Sequence, residues 1–174
     1  MRKILFAITL ILAVTFIGSC DKGIEPLPPA PSGPTGFSGK VTFTGNWPQD
    51  IKRTHVVVFK EPILSSGDFF PPNLSFVIDS IPNGTKEFVY NSIDNNFIST
   101  FTLAPGSYKY IVVAQSKTPT LSLSRKDWFV VGVYTTDGKQ IDPGTMFISQ
   151  GYITTGIDIN VDFNNPPPQP PGGE

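Results

Sequence analysis

Cysteine and histidine are almost absent: the chain of 174 residues has one of each, Cys20 and His55. A lone cysteine has no partner for an internal disulfide, so everything after residue 20 must be held by a packed core. One histidine and no cysteine in the body argue against a zinc centre. Charge is also scarce, with 16% of residues charged and 13 basic against 14 acidic side chains. That balance gives no basic face for a nucleic acid. No stretch of the body repeats apolar residues at helical spacing without a breaker, which argues against a helical domain. A Gly-rich phosphate loop and a nucleophile-elbow motif are both missing, so nucleotide chemistry and a Ser–His–acid hydrolase lack their sequence signs. No cofactor and no metal is expected.

What the chain does have begins at its N-terminus. Arg2 and Lys3 precede an apolar run, Ile4 to Ile17, broken only by Thr9 and Thr15, and Gly18-Ser19-Cys20 follows. A basic start, an apolar stretch and small residues before the cut make a secretory signal. The stretch falls short of the ~20 apolar residues that a spanning helix needs. With cysteine directly after Ile17-Gly18-Ser19, the segment resembles a bacterial lipobox. The resemblance implies a diacylglycerol on the Cys20 sulfur, cleavage before Cys20 and usually acylation of the new amino group. Two or three acyl chains, at roughly 0.8 kcal/mol per buried methylene, anchor stably where one chain is marginal. The alternative is an ordinary signal with a stray cysteine. Losing residues 1–19 removes Arg2 and Lys3 and no acid, so 11 basic and 14 acidic side chains remain, a net charge near −3. The expected location is the cell envelope, membrane-anchored and periplasmic or surface-exposed, with the outer membrane slightly favoured. Asp21 points the other way by a retention rule of some enteric bacteria.

Two Pro-rich flanks bracket the body. Residues 20–36 carry Pro26, Pro28, Pro29, Pro31 and Pro34, and residues 165–174 carry Pro166, Pro167, Pro168, Pro170 and Pro171. The first reads as a lipidated, semi-rigid tether that lifts the domain off the lipid surface. The second reads as a disordered end or, less directly, as a polyproline ligand for a partner's groove. The flanks hold more than half of the 18 prolines, so those of the body can be read as turn markers. Residues 37–164 are then one domain.

Strand signals fill that domain. Gly39 to Gly45 alternates Val41 and Phe43 with polar residues. Thr54 to Lys60 is apolar on both faces, which suits a central strand. Phe97 to Leu103, Tyr108 to Ala114 and Trp128 to Tyr134 are further aromatic and β-branched runs. Ile157, Ile159, Val161 and Phe163 alternate with Asp158, Asn160, Asp162 and Asn164, one face buried and one wet. Val41, Phe43, Val57, Val113, Ile159 and Val161 are the expected core. Ala104-Pro105-Gly106-Ser107 and Asp142-Pro143-Gly144-Thr145 carry Pro and Gly as a type II turn requires. Asn83-Gly84, between Phe76–Asp79 and Glu87–Tyr90, predicts an inserted hairpin, and Asp137-Gly138 follows Tyr134 in the same manner. The pattern predicts an all-β, antiparallel Greek-key sandwich of about seven strands.

The order Gly39-Lys40-Val41-Thr42-Phe43, Thr54-His55-Val56-Val57-Val58-Phe59, Leu103-Ala104-Pro105-Gly106-Ser107-Tyr108 and Ile111-Val112-Val113-Ala114 resembles the transthyretin-like or carboxypeptidase-regulatory-like β-sandwiches of secreted bacterial proteins. It covers roughly Phe37 to Phe163. Ala104 stands where the first proline is common, and residues 62–96 look like an insertion. The resemblance implies a seven-stranded Greek-key sandwich and says little of function, because such domains serve as accessory modules, assembly elements or binders.

The parts available for chemistry are few. His55 could act as a general base only beside a nucleophile and an acid, and a satisfied strand histidine is the plainer reading. Calcium needs converging oxygens. Asp137 and Asp142 flank one loop, while Asp158, Asn160, Asp162 and Asn164 stand in a row, as on a solvated face. Nothing marks a carboxylate pair for glycoside cleavage. The residues that could bind a ligand are the loop aromatics Trp47, Phe69, Phe70 and Trp128, which could stack on sugar rings or dock a partner. They could equally cover the open ends of the core. The expectation is a non-enzymatic, lipid-anchored binding or structural module, its partners the membrane through Cys20 and an envelope protein or glycan. The rivals are a carbohydrate-binding module using those aromatics, a small extracytoplasmic hydrolase, and an assembly subunit that pairs by an open sheet edge.

Overall fold

The fold is seen in a computed structural model, which describes Pro29 and residues 31–173. Cys20, the signal segment and most of the tether lie outside the described residues. The remainder is all-β. Its ten strands are β1 (Gly36–Thr44), β2 (Arg53–Phe59), β3 (Leu74–Val77), β4 (Glu87–Asn91), β5 (Gly106–Tyr108), β6 (Tyr110–Ser116), β7 (Trp128–Val133), β8 (Met146–Ile148), β9 (Ile153–Thr154) and β10 (Ile159–Asp162). Among the described residues the only helical pieces are two 3-10 turns, Ser66–Phe69 and Arg125–Asp127, and no helix is long and apolar enough to cross a membrane.

Two sheets face each other and no barrel closes. The first has the order β10-β1-β4, with β9 beside the start of β1, and the second has the order β3-β2-β6-β7. The second sheet is antiparallel throughout. In the first, β4 runs antiparallel to β1 while β9 and β10 run parallel to it. A short ladder of β5 with β8 lies apart from both.

Between the sheets lies a core of Phe37, Val41 and Phe43 from β1, Val56 and Val58 from β2, Ile111 and Val113 from β6, and Ile159 and Val161 from β10. All six of the expected core residues are buried. Val57 is buried elsewhere, in a second cluster on the opposite face of its sheet, with Phe59, Val77, Tyr110, Val112, Ala114, Trp128 and Val130. Alternate side chains of a strand point to opposite faces. A strand apolar at every position, such as Thr-His-Val-Val-Val-Phe, therefore needs a cover on each side.

Several local expectations differ from the structure. Asn83-Gly84 does not close a hairpin. Strand β3 joins β2 and strand β4 joins β1, so the segment between them is a crossing from one sheet to the other. The buried side chain of Ile81 and the Ile81 N–H bond to Thr54 O, 2.7 Å, pin its course. Residues 97–103 form no strand and are half-buried cover, because their apolar side chains pack on clusters already supplied with strands. The run Tyr108–Ala114 is split at Lys109, whose N–H bonds to Lys60 O. Gly106 has φ +143°, in the positive region that glycine serves, but it opens β5 opposite Ile148 instead of completing a type II turn. Gly144 is outside the positive-φ region. Its N–H bonds to Tyr134 O at 2.8 Å, and a Cβ there would lie 2.9 Å from the Tyr134 ring, so close approach accounts for the glycine. Gly138 has a positive φ, but no strand follows it to make a hairpin.

Candidate functional site

The covered outer face of the second sheet is the most unusual part of the domain. Its floor is the outward row of β2, β6 and β7. Register places His55 opposite Ala114, Val57 opposite Val112 and Phe59 opposite Tyr110. Among the described residues no further sheet covers this floor. Its roof includes Ile63, Phe69, Ile98, Leu121 and Leu123, all from segments between strands. Between floor and roof is a small apolar cavity of about 50 Å³, well below the ~300–1,000 Å³ of ordinary ligand pockets. The roof also exposes apolar surface, Leu64 at 80% and Leu123 at 66%.

His55 is fully buried in this floor. Its ring lies 4.7 Å from that of Phe97 and 5.9 Å from that of Trp128. Nδ1 is 2.8 Å from Ile78 O, so a proton on Nδ1 donates to that carbonyl. Nε2 is buried with no hydrogen-bond partner. Burial pushes the imidazole pKa below its ordinary value, outweighing the bond to Ile78, because desolvation penalises the charged form. His55 is thus a neutral ring held by packing. Among the described residues no hydrogen bond joins it to a Ser, Thr, Asp or Glu side chain, so it has no catalytic relay around it.

Arg125 is the second buried polar group. Only 4% exposed, it sits in the 3-10 turn that leads into β7. Its guanidinium donates to Trp128 O at 2.5 Å and to Pro170 O at 2.9 Å. Burying a charge is costly unless carbonyls or acids replace its water. Nearby, burial raises the Tyr110 phenol to about 12 despite the opposing pull of the Arg125 charge.

The partner at Pro170 brings in the C-terminal tail, which composition reads as a free end. The described tail is docked. Gln140 Nε2 donates to Asn165 O at 3.2 Å. Pro167 and Pro170 are buried, whereas Pro166, Pro168 and Pro171 are exposed. Between the buried pair, the Gln169 amide reads one residue of the edge strand twice: Val130 N–H donates to its Oε1 at 2.9 Å, and its Nε2 donates to Val130 O at 2.7 Å. Gly173 lies so near Arg125 that a Cβ there would be 2.6 Å from the guanidinium nitrogens. Neither Arg125 nor Gln169 carries a recognisable motif. The one available sign was a single amide set among prolines.

The four aromatics expected in loops are not brought together, and Trp128 is the first residue of β7. Trp47 rests on Phe43 and Phe163 at 4.6 and 5.2 Å and donates its indole N–H to Thr85 O, closing one end of the inner core. Trp128 is 5% exposed and donates to Ser122 O within the outer-face cluster. Phe69 is half-buried on Phe59, and Phe70 beside it is 39% exposed. Just before and along β10, Asp158 and Asn160 face solvent between buried Ile157, Ile159 and Val161, and Asp158 accepts the Lys40 N–H at 2.9 Å. Among the described residues no group of three or more metal-ligating side chains occurs.

Comparison with known proteins finds no matching family profile, no similar curated protein and no similar solved structure.

Proposed function

We propose that this protein is a lipid-anchored, extracytoplasmic module that binds or assembles and does not catalyse. Anchoring rests on Arg2-Lys3, the apolar run Ile4 to Ile17 and Ile17-Gly18-Ser19-Cys20. Binding rests on one observation, the second buried face of the β3-β2-β6-β7 sheet, closed by connecting segments and the proline-rich segment after β10. Such a cover opens at lower cost than a sheet-to-sheet core, and binding surfaces are drawn from elements of low local stability. The resemblance to transthyretin-like modules accords with this reading. A sugar platform has less support, since Trp47 and Trp128 have their indole N–H groups and most of their ring surface engaged inside the domain. A hydrolase has less support because His55 is neutral and bonded to backbone alone.

Cell fractionation tests the anchor. Cys20→Ser is expected to release the protein from membranes or to block its maturation. Membrane retention with normal maturation removes the lipid anchor from the reading. A panel of glycan, ester and peptide substrates tests the rest, and turnover lost on mutating one acid of the domain would make the protein an enzyme.

A further inference from the structure

The described tail shows what kind of segment the edge of β7 accepts. Proline fixes φ near the polyproline II value, and that helix turns once every three residues. Pro167 and Pro170 are three apart and are the buried prolines, with exposed prolines on either side. A polyproline helix has no internal hydrogen bonds, so its carbonyls are free to accept, and Pro170 O accepts from the buried Arg125. The sheet supplies the other half. β7 is the last strand of its sheet, and an edge strand presents backbone groups to any chain that can pair with them. Gln169 takes both groups of Val130 with one side-chain amide. The recognition features are thus an edge residue, a charged donor and two proline sites.

We propose that the β7 edge is a binding groove for an extended, proline-rich peptide of another protein, with a glutamine next to its anchoring proline, and that the chain's own tail fills the groove until such a peptide displaces it. The proposal deepens the binding-module reading and rests on it for the premise that the domain binds. The occupant's chemistry is set by the tail itself. An amide side chain is needed because a carboxylate could not donate to Val130 O and an ammonium could not accept from Val130 N–H. Prolines three apart are needed to place two rings on one side. The chain's other proline-rich flank, 21–36, has no glutamine and lacks the amide pair. Among the described residues no strand follows β10, so the tail can leave the edge without disturbing the sheets.

The test uses the purified mature chain, wild type and truncated after Asn165, with a labelled peptide Asn-Pro-Pro-Pro-Gln-Pro-Pro-Gly-Gly read by fluorescence anisotropy. The truncated protein is expected to bind the peptide saturably. Replacing the peptide's glutamine by alanine should weaken binding about tenfold or more, since two backbone partners are lost. A peptide copied from residues 25–32 should fail. Wild type should bind at least about tenfold more weakly than the truncated protein, because a tethered competitor acts at roughly millimolar effective concentration. Absence of saturable binding by a truncated protein that still melts cooperatively overturns the proposal. If truncation prevents folding, Gln169→Ala in the full mature chain carries the test. It should bind the wild-type peptide more tightly than the wild-type chain does, and equal affinity overturns the proposal. A dimer of the intact chain that disappears on truncation would assign the groove to the tail of a second copy and overturn the partner assignment. None of these readings depends on lipid at Cys20, so failure of anchoring and failure of the groove are separable.

Discussion

Acid should weaken this fold through His55 alone over a defined range of pH. The protein has one histidine, buried with Nδ1 bonded to Ile78 O and Nε2 without a partner. Burial lowers its pKa, and the charge of Arg53 acts in the same direction. The unfolded chain takes up a proton near pH 6.5, whereas the folded chain resists it. Stability is therefore full above the unfolded value and falls as the pH drops below it, with a limiting slope of about 1.4 kcal/mol per pH unit. The unfolded imidazole's protonation bounds the loss between pH 7 and pH 5 at about 1.9 kcal/mol. With a urea m-value of about 1–3 kcal/mol/M, the midpoint should fall by up to about 0.6–1.9 M. Asp68 and Asp137, whose pKa values are lowered by hydrogen bonds from Ser65 and from Lys139, lose their contribution at lower pH, in the carboxylate range. The matched variant is His55→Asn, which keeps a donor for Ile78 O and removes the titrating ring. It should be less stable at every pH, with a flat midpoint between pH 5 and 7. Parallel pH profiles for the two proteins in urea titrations would refute the assignment of His55 as a buried neutral ring.

Three further outcomes can be checked by the same titrations. Gly39→Ala places a Cβ 2.0 Å from Ile157 O in the space where the segment before β10 meets β1. Backbone must move, and a loss of about 2–4 kcal/mol is expected, so a change within error would mean that the two segments do not approach. Tyr90→Phe removes the bond of 2.5 Å from the phenol to Ile157 O deep in the core. It should cost about 1–3 kcal/mol, and a variant as stable as wild type would place the phenol elsewhere. Gly106→Val meets nothing nearer than Lys60 Nζ at 3.9 Å, so its expected cost of about 1–3 kcal/mol comes from φ alone. A neutral result would exclude the positive φ at residue 106.

The class of fold was legible because it depends on local signals. Period-two runs at Gly39–Gly45 and Ile157–Phe163 report one buried and one wet face directly, and β1 and β10 lie where those runs lie. Pairing was less legible, because a turn sequence specifies only the direction change at its own residues. Asn83-Gly84 carries hairpin residues, yet the strands on its two sides take partners in different sheets. The parallel pairing of β1 with β10 joins residues 118 apart, Val41 and Ile159, and no local signal reports such a partner. The site was the least legible part. Trp47 and Trp128 drew attention as bulky rings in loops, but a ring's position in sequence does not say whether it covers a core or faces water. Arg125 belongs to no motif that would single it out. The tail that reaches it adds Pro170 O to its partners, and the single glutamine among prolines is the one local sign of that docking.

Burial of both faces of one sheet accounts for features that otherwise look unrelated. Strands β2 and β6 are apolar without alternation because each of their faces needs a partner, the first sheet on one side and the loop roof on the other. The loops that build the roof carry Ile63, Phe69, Ile98, Leu121 and Leu123. Such apolar content in connections would be a liability on a domain with only one covered face. These connections are irregular, so the cover of the outer cluster, unlike its strand floor, has no ladder hydrogen bonds. Free energies of opening therefore differ on the two sides of one sheet, and the side held by Arg125, Gln169 and the tail is the one able to open without separating the sheets. Under the proposed binding role, the scaffold would stay intact while what lies on the outer face is exchanged. That separation of scaffold from surface is what the proposed binding role requires.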